Sequence, residues 1–226
     1  MEKKNFVLVH GAWHGGWCWR RVADILTGHG HRVFTPTLSG LAERSHLREG
    51  GINLTTHITD VLNLLRWEEL DNVLLCGHSY GGMVVTGAAD RAAERVASLV
   101  FLDAFVPENG QMMREMTPRA LPATGPIAPI PAATFMVNEK DRAWVDRQCT
   151  PHPIECFSER IALTGAWRQI KRKAYIRAGA YPSAAFDSAL HRFQSDPDWA
   201  TASLPCGHDV MVDMPEPLAA LLEGSL

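Results

Sequence analysis

The chain has 226 residues, of which 46% are hydrophobic and 21% charged, and its formal net charge is −3. That length favours one domain with ample material for a core. The faintly acidic balance argues against nucleic acid or an anionic membrane as the main partner. No apolar run reaches the ~18 residues of a membrane span.

The chain opens Met1-Glu2-Lys3-Lys4 and enters an apolar run at 6–9, too short for the core of a signal peptide. Strand-like runs at 6–9, 32–35, 73–76, 97–102, 174–177 and 199–204 alternate with helical patterns at 17–27, 55–67, 81–93, 183–193 and 217–222. In 55–67, for example, Ile58, Val61, Leu62 and Leu65 recur at helical spacing. This alternation predicts an α/β fold with a mostly parallel sheet, right-handed crossovers and helices on both faces.

Residues 107–170 interrupt the alternation. Pro107, Pro118, Pro122, Pro126, Pro129 and Pro131 punctuate the first half, and helical patterns follow at 140–148 and 153–163. Met112, Met113, Met116, Phe135, Met136, Trp144, Phe157 and Trp167 make the segment rich in bulky apolar groups. An insertion after a strand at the carboxyl edge of such a sheet overlies the ligand crevice. The expected organisation is a core of 1–106 and 171–226 with a helical cap, 107–170, shaping an apolar pocket.

The chemistry concentrates at Gly77-His78-Ser79-Tyr80-Gly81, directly after the third strand-like apolar run, 73–76, and before a helical pattern. A G-x-S-x-G turn from strand to helix exposes its serine at the tip of the sheet and aims a helix N-terminus at whatever that serine attacks. A serine hydroxyl needs a base. Of the ten histidines, His208 lies on the loop after the last strand, downstream of the serine. His78 is expected to pack beside the turn, and His29 and His31 to be solvated. His46, His57, His152 and His191 have no placement argument.

The imidazole needs an acid to orient it. The loop Ala178-Gly179-Ala180-Tyr181-Pro182 carries none, whereas Asp103 stands at the end of the 97–102 strand. Asp103 is the expected acid, with Asp187, or no dedicated acid, as the rival. Two N–H groups would receive an oxyanion: that of Tyr80, after the nucleophile, and that of Ala12 in the glycine-rich loop His10-Gly11-Ala12-Trp13-His14-Gly15-Gly16. Trp13 of the same loop is expected at the substrate. No acidic residue follows for a ribose, so this loop is not read as a dinucleotide site.

Cys18, Cys76, Cys149, Cys156 and Cys206 are odd in number and form no C-x-x-C, so free thiols in a reducing cytoplasm are expected. His10 and His14 have no paired cysteines beside them, and neither metal nor cofactor is expected. The run Arg168, Lys171, Arg172, Lys173 and Arg177 reads as a solvated helix end.

The stretches 7–17, 77–83, 101–107 and 206–209 together resemble the α/β-hydrolase superfamily, in the branch of plant methylesterases, plant hydroxynitrile lyases and bacterial esterases. The resemblance covers nearly the whole chain outside the cap and implies the α/β-hydrolase fold. Members usually carry an aspartate where this chain has Tyr181. The haloalkane dehalogenase branch places its acid where Asp103 falls, but its nucleophile is an aspartate, against Ser79. The similar lyases have a threonine at position 11 and a lysine at 209, where this chain has Gly11 and Asp209. An aspartate there would oppose a departing cyanide.

The expected function is therefore a serine esterase acting on a small, largely apolar ester. Lactone or carbamate hydrolysis would use the same groups. Lyase chemistry, or a ligand receptor without turnover, are the rivals, and a homodimer is left open.

Overall fold

The computed structural model describes residues 3–117 and 119–224. Pro118, one of the expected punctuating prolines, lies outside the described residues, as do Met1, Glu2, Ser225 and Leu226.

Every expected strand forms: β1 (Asn5–Val9), β2 (Arg32–Phe34), β3 (Val73–His78), β4 (Val96–Leu102), β5 (Arg172–Ala178) and β6 (Trp199–Leu204). They make one sheet in the order β2-β1-β3-β4-β5-β6, and each neighbouring pair is parallel. A parallel sheet covered on both faces buries both sides of its central strands. Accordingly every residue of β3 is buried, whereas the edge strand β2 is only half-buried. This is why the central strands read as continuous apolar runs.

The main helices are α1 (Arg20–Gly28), α2 (Leu54–Trp67), α3 (Gly81–Arg91), α7 (Ala184–Gln194) and α9 (Pro215–Gly224), with a single turn α8 (Val210–Asp213). The first expected helix begins instead as a 3-10 turn, Gly16–Trp19. Gly16 lies so close to the Thr35 carbonyl that a Cβ would collide with it, and the tight turn keeps the chain against the end of β2. Asn53 caps α2, accepting from Thr56 N–H while the Thr56 hydroxyl receives the Asn53 N–H.

Between β4 and β5 lie α4 (Met113–Met116), α5 (Glu139–Gln148) and α6 (Glu155–Ser158), with 3-10 turns at Ala132–Phe135 and Ala166–Gln169. The helix expected over 153–163 stops at Ser158. There the chain exchanges helical bonds for pairing with a neighbouring loop: Ile161 N–H donates to Gln111 O at 3.0 Å and Gly110 N–H to Ile161 O at 2.8 Å. Tertiary pairing has overridden local periodicity.

The basic run is a solvated helix end only in part: Arg168, Lys171 and Arg172 are exposed, but the run continues into the sheet. In β5, a strand buried on both faces, Lys173 and Arg177 are 7% and 3% exposed. His31 is also buried rather than solvated. Its Nδ1 accepts the Lys4 N–H and its Nε2 lies 3.1 Å from Glu223. Among the described residues no helix is long and apolar enough to cross a membrane.

Strand β3 and helix α3 meet at glycines. A Cβ on Gly77 would lie 2.6 Å from both Gly81 O and Val85 Cγ2. Gly77→Ala should therefore destabilise the fold by about 2 kcal/mol, as overpacking against backbone does. Urea unfolding checks this through a lower midpoint at unchanged slope.

Candidate active site

Ser79 joins β3 to α3 in the left-handed region, at φ 53°. For a non-glycine residue this conformation costs about 1–2 kcal/mol and persists only where surrounding bonds hold it. Here Ser79 N–H donates to Leu102 O at 3.2 Å, and Ser79 O accepts from Gly82 N–H at 3.0 Å and Phe105 N–H at 3.2 Å. The N-terminus of α3 follows at once, so its positive end faces the serine.

Asp103 ends β4 in the same conformation, at φ 43°, with its N–H donating to Ile176 O at 2.7 Å. The carboxylate is fully buried and both oxygens are used. Oδ2 accepts from His208 Nδ1 at 2.6 Å. Oδ1 accepts from Arg177 Nη1 at 2.7 Å and Ala178 N–H at 3.1 Å. The rival Asp187 stands in the first turn of α7 and accepts from Arg177 Nε at 3.0 Å. The histidine's bond thus goes to Asp103.

His208 is fixed through its backbone as well. Its N–H donates to Phe135 O at 2.8 Å, and its carbonyl accepts from His78 Nε2 at 3.0 Å. Gly207 permits this approach, because a Cβ there would collide with the Met136 carbonyl. The imidazole stacks on Phe186 at 5.5 Å and lies 4.7 Å from the Tyr181 ring. With Nδ1 donating to Asp103, Nε2 is left to accept a proton.

Ser79 and His208 line a common cavity of about 390 Å³ with Ala12, Trp13 and Tyr80. From the segment between β4 and β5 the cavity receives Met113, Met116, Phe135 and Phe157. Trp144 and Trp167, also expected as pocket candidates, pack elsewhere: Trp144 on Trp17, and Trp167 against Phe101 and Trp199. Trp13 N–H donates to His152 Nδ1 at 3.3 Å, whereas the Ala12 and Tyr80 N–H groups make no hydrogen bond within the described residues. Both N–H groups belong to residues that line the cavity beside Ser79.

A buried ion pair supports this arrangement from behind and was not legible in the sequence. His14 donates from Nδ1 to Ala12 O at 2.8 Å and from Nε2 to Asp209 Oδ2 at 3.0 Å. A ring that donates from both nitrogens is an imidazolium. Burial opposes both charges, but mutual attraction outweighs it: the His14 value is raised and the Asp209 value lies well below the usual carboxylate range. Asp209, set against a departing cyanide in the sequence reading, is paired with His14 and is not among the residues that line the cavity. His10 is neutral by contrast, lowered to about 3 by burial, and its Nε2 accepts the Leu38 N–H at 3.1 Å.

His57, His152 and Cys156 form the group of described residues with metal-ligand spacing, their ligand atoms lying within 4.8 Å of one another. Both nitrogens of His57 are already engaged, with Ser39 O at 2.8 Å and the Tyr80 hydroxyl at 2.9 Å. Because His152 Nδ1 accepts the Trp13 N–H, its Nε2 carries the proton. In this state the cluster braces Tyr80 and Trp13 rather than offering lone pairs. All five cysteines are free thiols.

A strained serine at a strand-to-helix turn, on a parallel sheet and sharing a cavity with a histidine held by an acid, defines the α/β-hydrolase class. The model of the Alpha/beta hydrolase family matches residues 6–221, and the chain belongs to that family. It is 45% identical to the carbendazim hydrolyzing esterase of Nocardioides sp. (strain SG-4G), covering 96% of this chain and 98% of that protein. Methylesterase 2 of Arabidopsis thaliana is 35% identical, over 47% of this chain and 41% of that protein. Among solved structures, a pyrethroid hydrolase superposes with a TM-score of 0.79 at 23% identity, covering 98% of this chain and 96% of that one. At that identity the likeness is one of fold.

The ion pair gives a pH prediction. Asp209, held below its ordinary 3.8, contributes stability above that value and loses it as pH falls through its lowered value; His14, raised above 6.5, contributes below 6.5 and loses it as pH rises through its raised value. The stability lost in Asp209→Asn should thus be greatest between 3.8 and 6.5 and shrink as the solution turns alkaline. Urea midpoints of both proteins across pH check this, and a difference that grows with alkalinity would refute it.

Proposed function

We propose that the protein is a serine esterase that forms an acyl-enzyme on Ser79. The observation that carries this reading is the 2.6 Å bond from His208 Nδ1 to Asp103, which leaves Nε2 free in the cavity that holds Ser79. His208 takes the Ser79 proton as the hydroxyl attacks the ester carbonyl. The oxyanion that develops is received by the Ala12 and Tyr80 N–H groups, beside the positive end of α3. Asp103 steadies the imidazolium, which then protonates the departing alcohol. Water, activated by the same Nε2, releases the acid.

The segment 107–170 acts as the cap. Its Met113, Met116, Phe135 and Phe157 give the cavity an apolar lining, which favours a small ester with an apolar or aromatic part. Trp13 adds an aromatic ring to the lining near the serine. Carbendazim, which the Nocardioides relative is named for hydrolysing, is the first specific substrate to test.

With p-nitrophenyl acetate the wild-type protein should show a burst of nitrophenol, and Ser79→Ala should abolish it. Asp103→Asn should lower kcat by about 10³-fold or more with the fold intact, because the imidazole loses its orienting acceptor. Asp187→Asn should stay within about tenfold of wild type, since that carboxylate reaches Arg177 and not the histidine. Equal losses in the two aspartate variants would remove Asp103 from its proposed role.

A further inference from the structure

We infer that Arg177 is a positioning residue for the proposed reaction, holding Asp103 so that one carboxylate oxygen faces His208. This rests on the serine esterase reading.

The guanidinium is 3% exposed and is spent entirely on the acid's surroundings. Nη1 donates to Asp103 Oδ1 at 2.7 Å and to Ala178 O at 2.6 Å. Nη2 donates to Tyr181 O at 2.5 Å, and Nε to Asp187 at 3.0 Å. One planar fork thus ties together the end of β4, the loop after β5 and the first turn of α7. A lysine could not reproduce it, because an ammonium lacks the fixed geometry. Without the fork, Oδ1 would keep only the Ala178 N–H, and a buried carboxylate with an unmet acceptor is costly and free to rotate. Arg177 does not line the cavity, so it acts through the groups it holds: Asp103, and the Tyr181 carbonyl at the cavity wall.

Its charge acts as well. His208 is faced by Asp103 from β4, His78 from β3, Tyr181 from the loop after β5, and the adjoining Asp209 with its partner His14. Arg119 and Glu115 stand farther out on the cavity wall. Among these, Arg177 is the cation bonded directly to the acid. It draws part of the Asp103 charge away from the imidazole. Removing it leaves that negative charge to His208 and the Ala178 N–H, so the acidic limb of the variant's profile should move.

The test measures kcat, KM and the pH profile of kcat/KM with p-nitrophenyl acetate for the full chain. In Arg177→Gln, kcat should fall about tenfold or more with KM within about twofold of wild type. The acidic limb of the profile should move to higher pH. Arg177→Lys keeps the charge without the fork, so its kcat should fall less and its limb should stay in place. Wild-type kcat and limb in Arg177→Gln would overturn the proposal. So would a joint change in kcat and KM with an unmoved limb, which is the mark of a purely structural role. If Arg177→Gln does not fold by circular dichroism, Arg177→Lys decides: a lower kcat at constant KM supports the proposal, and wild-type kinetics overturn it. Full turnover in Ser79→Ala would instead defeat the esterase reading itself.

Discussion

Two adjacent strands end in residues that an L-amino acid rarely tolerates, and the strand ends hold each other there. Ser79 and Asp103 both have φ near +50°, at 53° and 43°. Ser79 N–H is bonded to the last carbonyl of β4, and Asp103 N–H to the carbonyl of Ile176 in β5. Each unfavourable conformation is thus maintained by the next strand of a rigid parallel sheet. The side chains follow from the backbone: one hydroxyl and one carboxylate emerge at the same edge, with the loop that carries His208 beyond them. Gly77, Gly81 and Gly82 let α3 come close enough to complete the turn, since a Cβ at any of the three would meet main-chain atoms.

Around this edge the charges are grouped rather than dispersed. Asp103 is buried but shared between His208 and Arg177, and Asp209 is buried but neutralised by His14. Nearby His10, His57, His78 and His152 are pushed towards the neutral form, chiefly by burial. Most hydrogen-bond roles at this edge are thus set by the fold itself, with His78 Nδ1, His152 Nε2 and Asp209 Oδ1 left buried without a partner among the described residues. The same buried bonds also connect remote segments. His152 holds Trp13, and Phe135 holds the His208 backbone, so the segment between β4 and β5 is anchored to both loops of the site.

What the sequence made legible is what local pattern encodes. Unbroken apolar runs marked the buried strands, and the glycine-flanked Ser79 marked the strand-to-helix turn. Asp103 and His208 followed from their places at strand ends, because a parallel sheet brings all such ends to one edge. Arg177 was misread because it lies in a strand buried on both faces, and its partners lie at the end of β4, in the loop after β5 and on α7. The His14–Asp209 pair was missed because nothing local joins positions so far apart, although each neighbours a residue already singled out. The helix expected at 153–163 failed for a related reason: the 110–111 loop offers Ile161 backbone partners that a local pattern cannot reveal.

The central claim is that Ser79 is the activated nucleophile, and covalent labelling tests it most directly. The purified protein is treated with diisopropyl fluorophosphate, digested, and the modified peptide located by mass spectrometry while residual esterase activity is followed. The account predicts one adduct, on Ser79, formed in step with the loss of activity and much more slowly in His208→Ala. Inactivation with Ser79 unmodified, or equal labelling rates in wild type and His208→Ala, would contradict it.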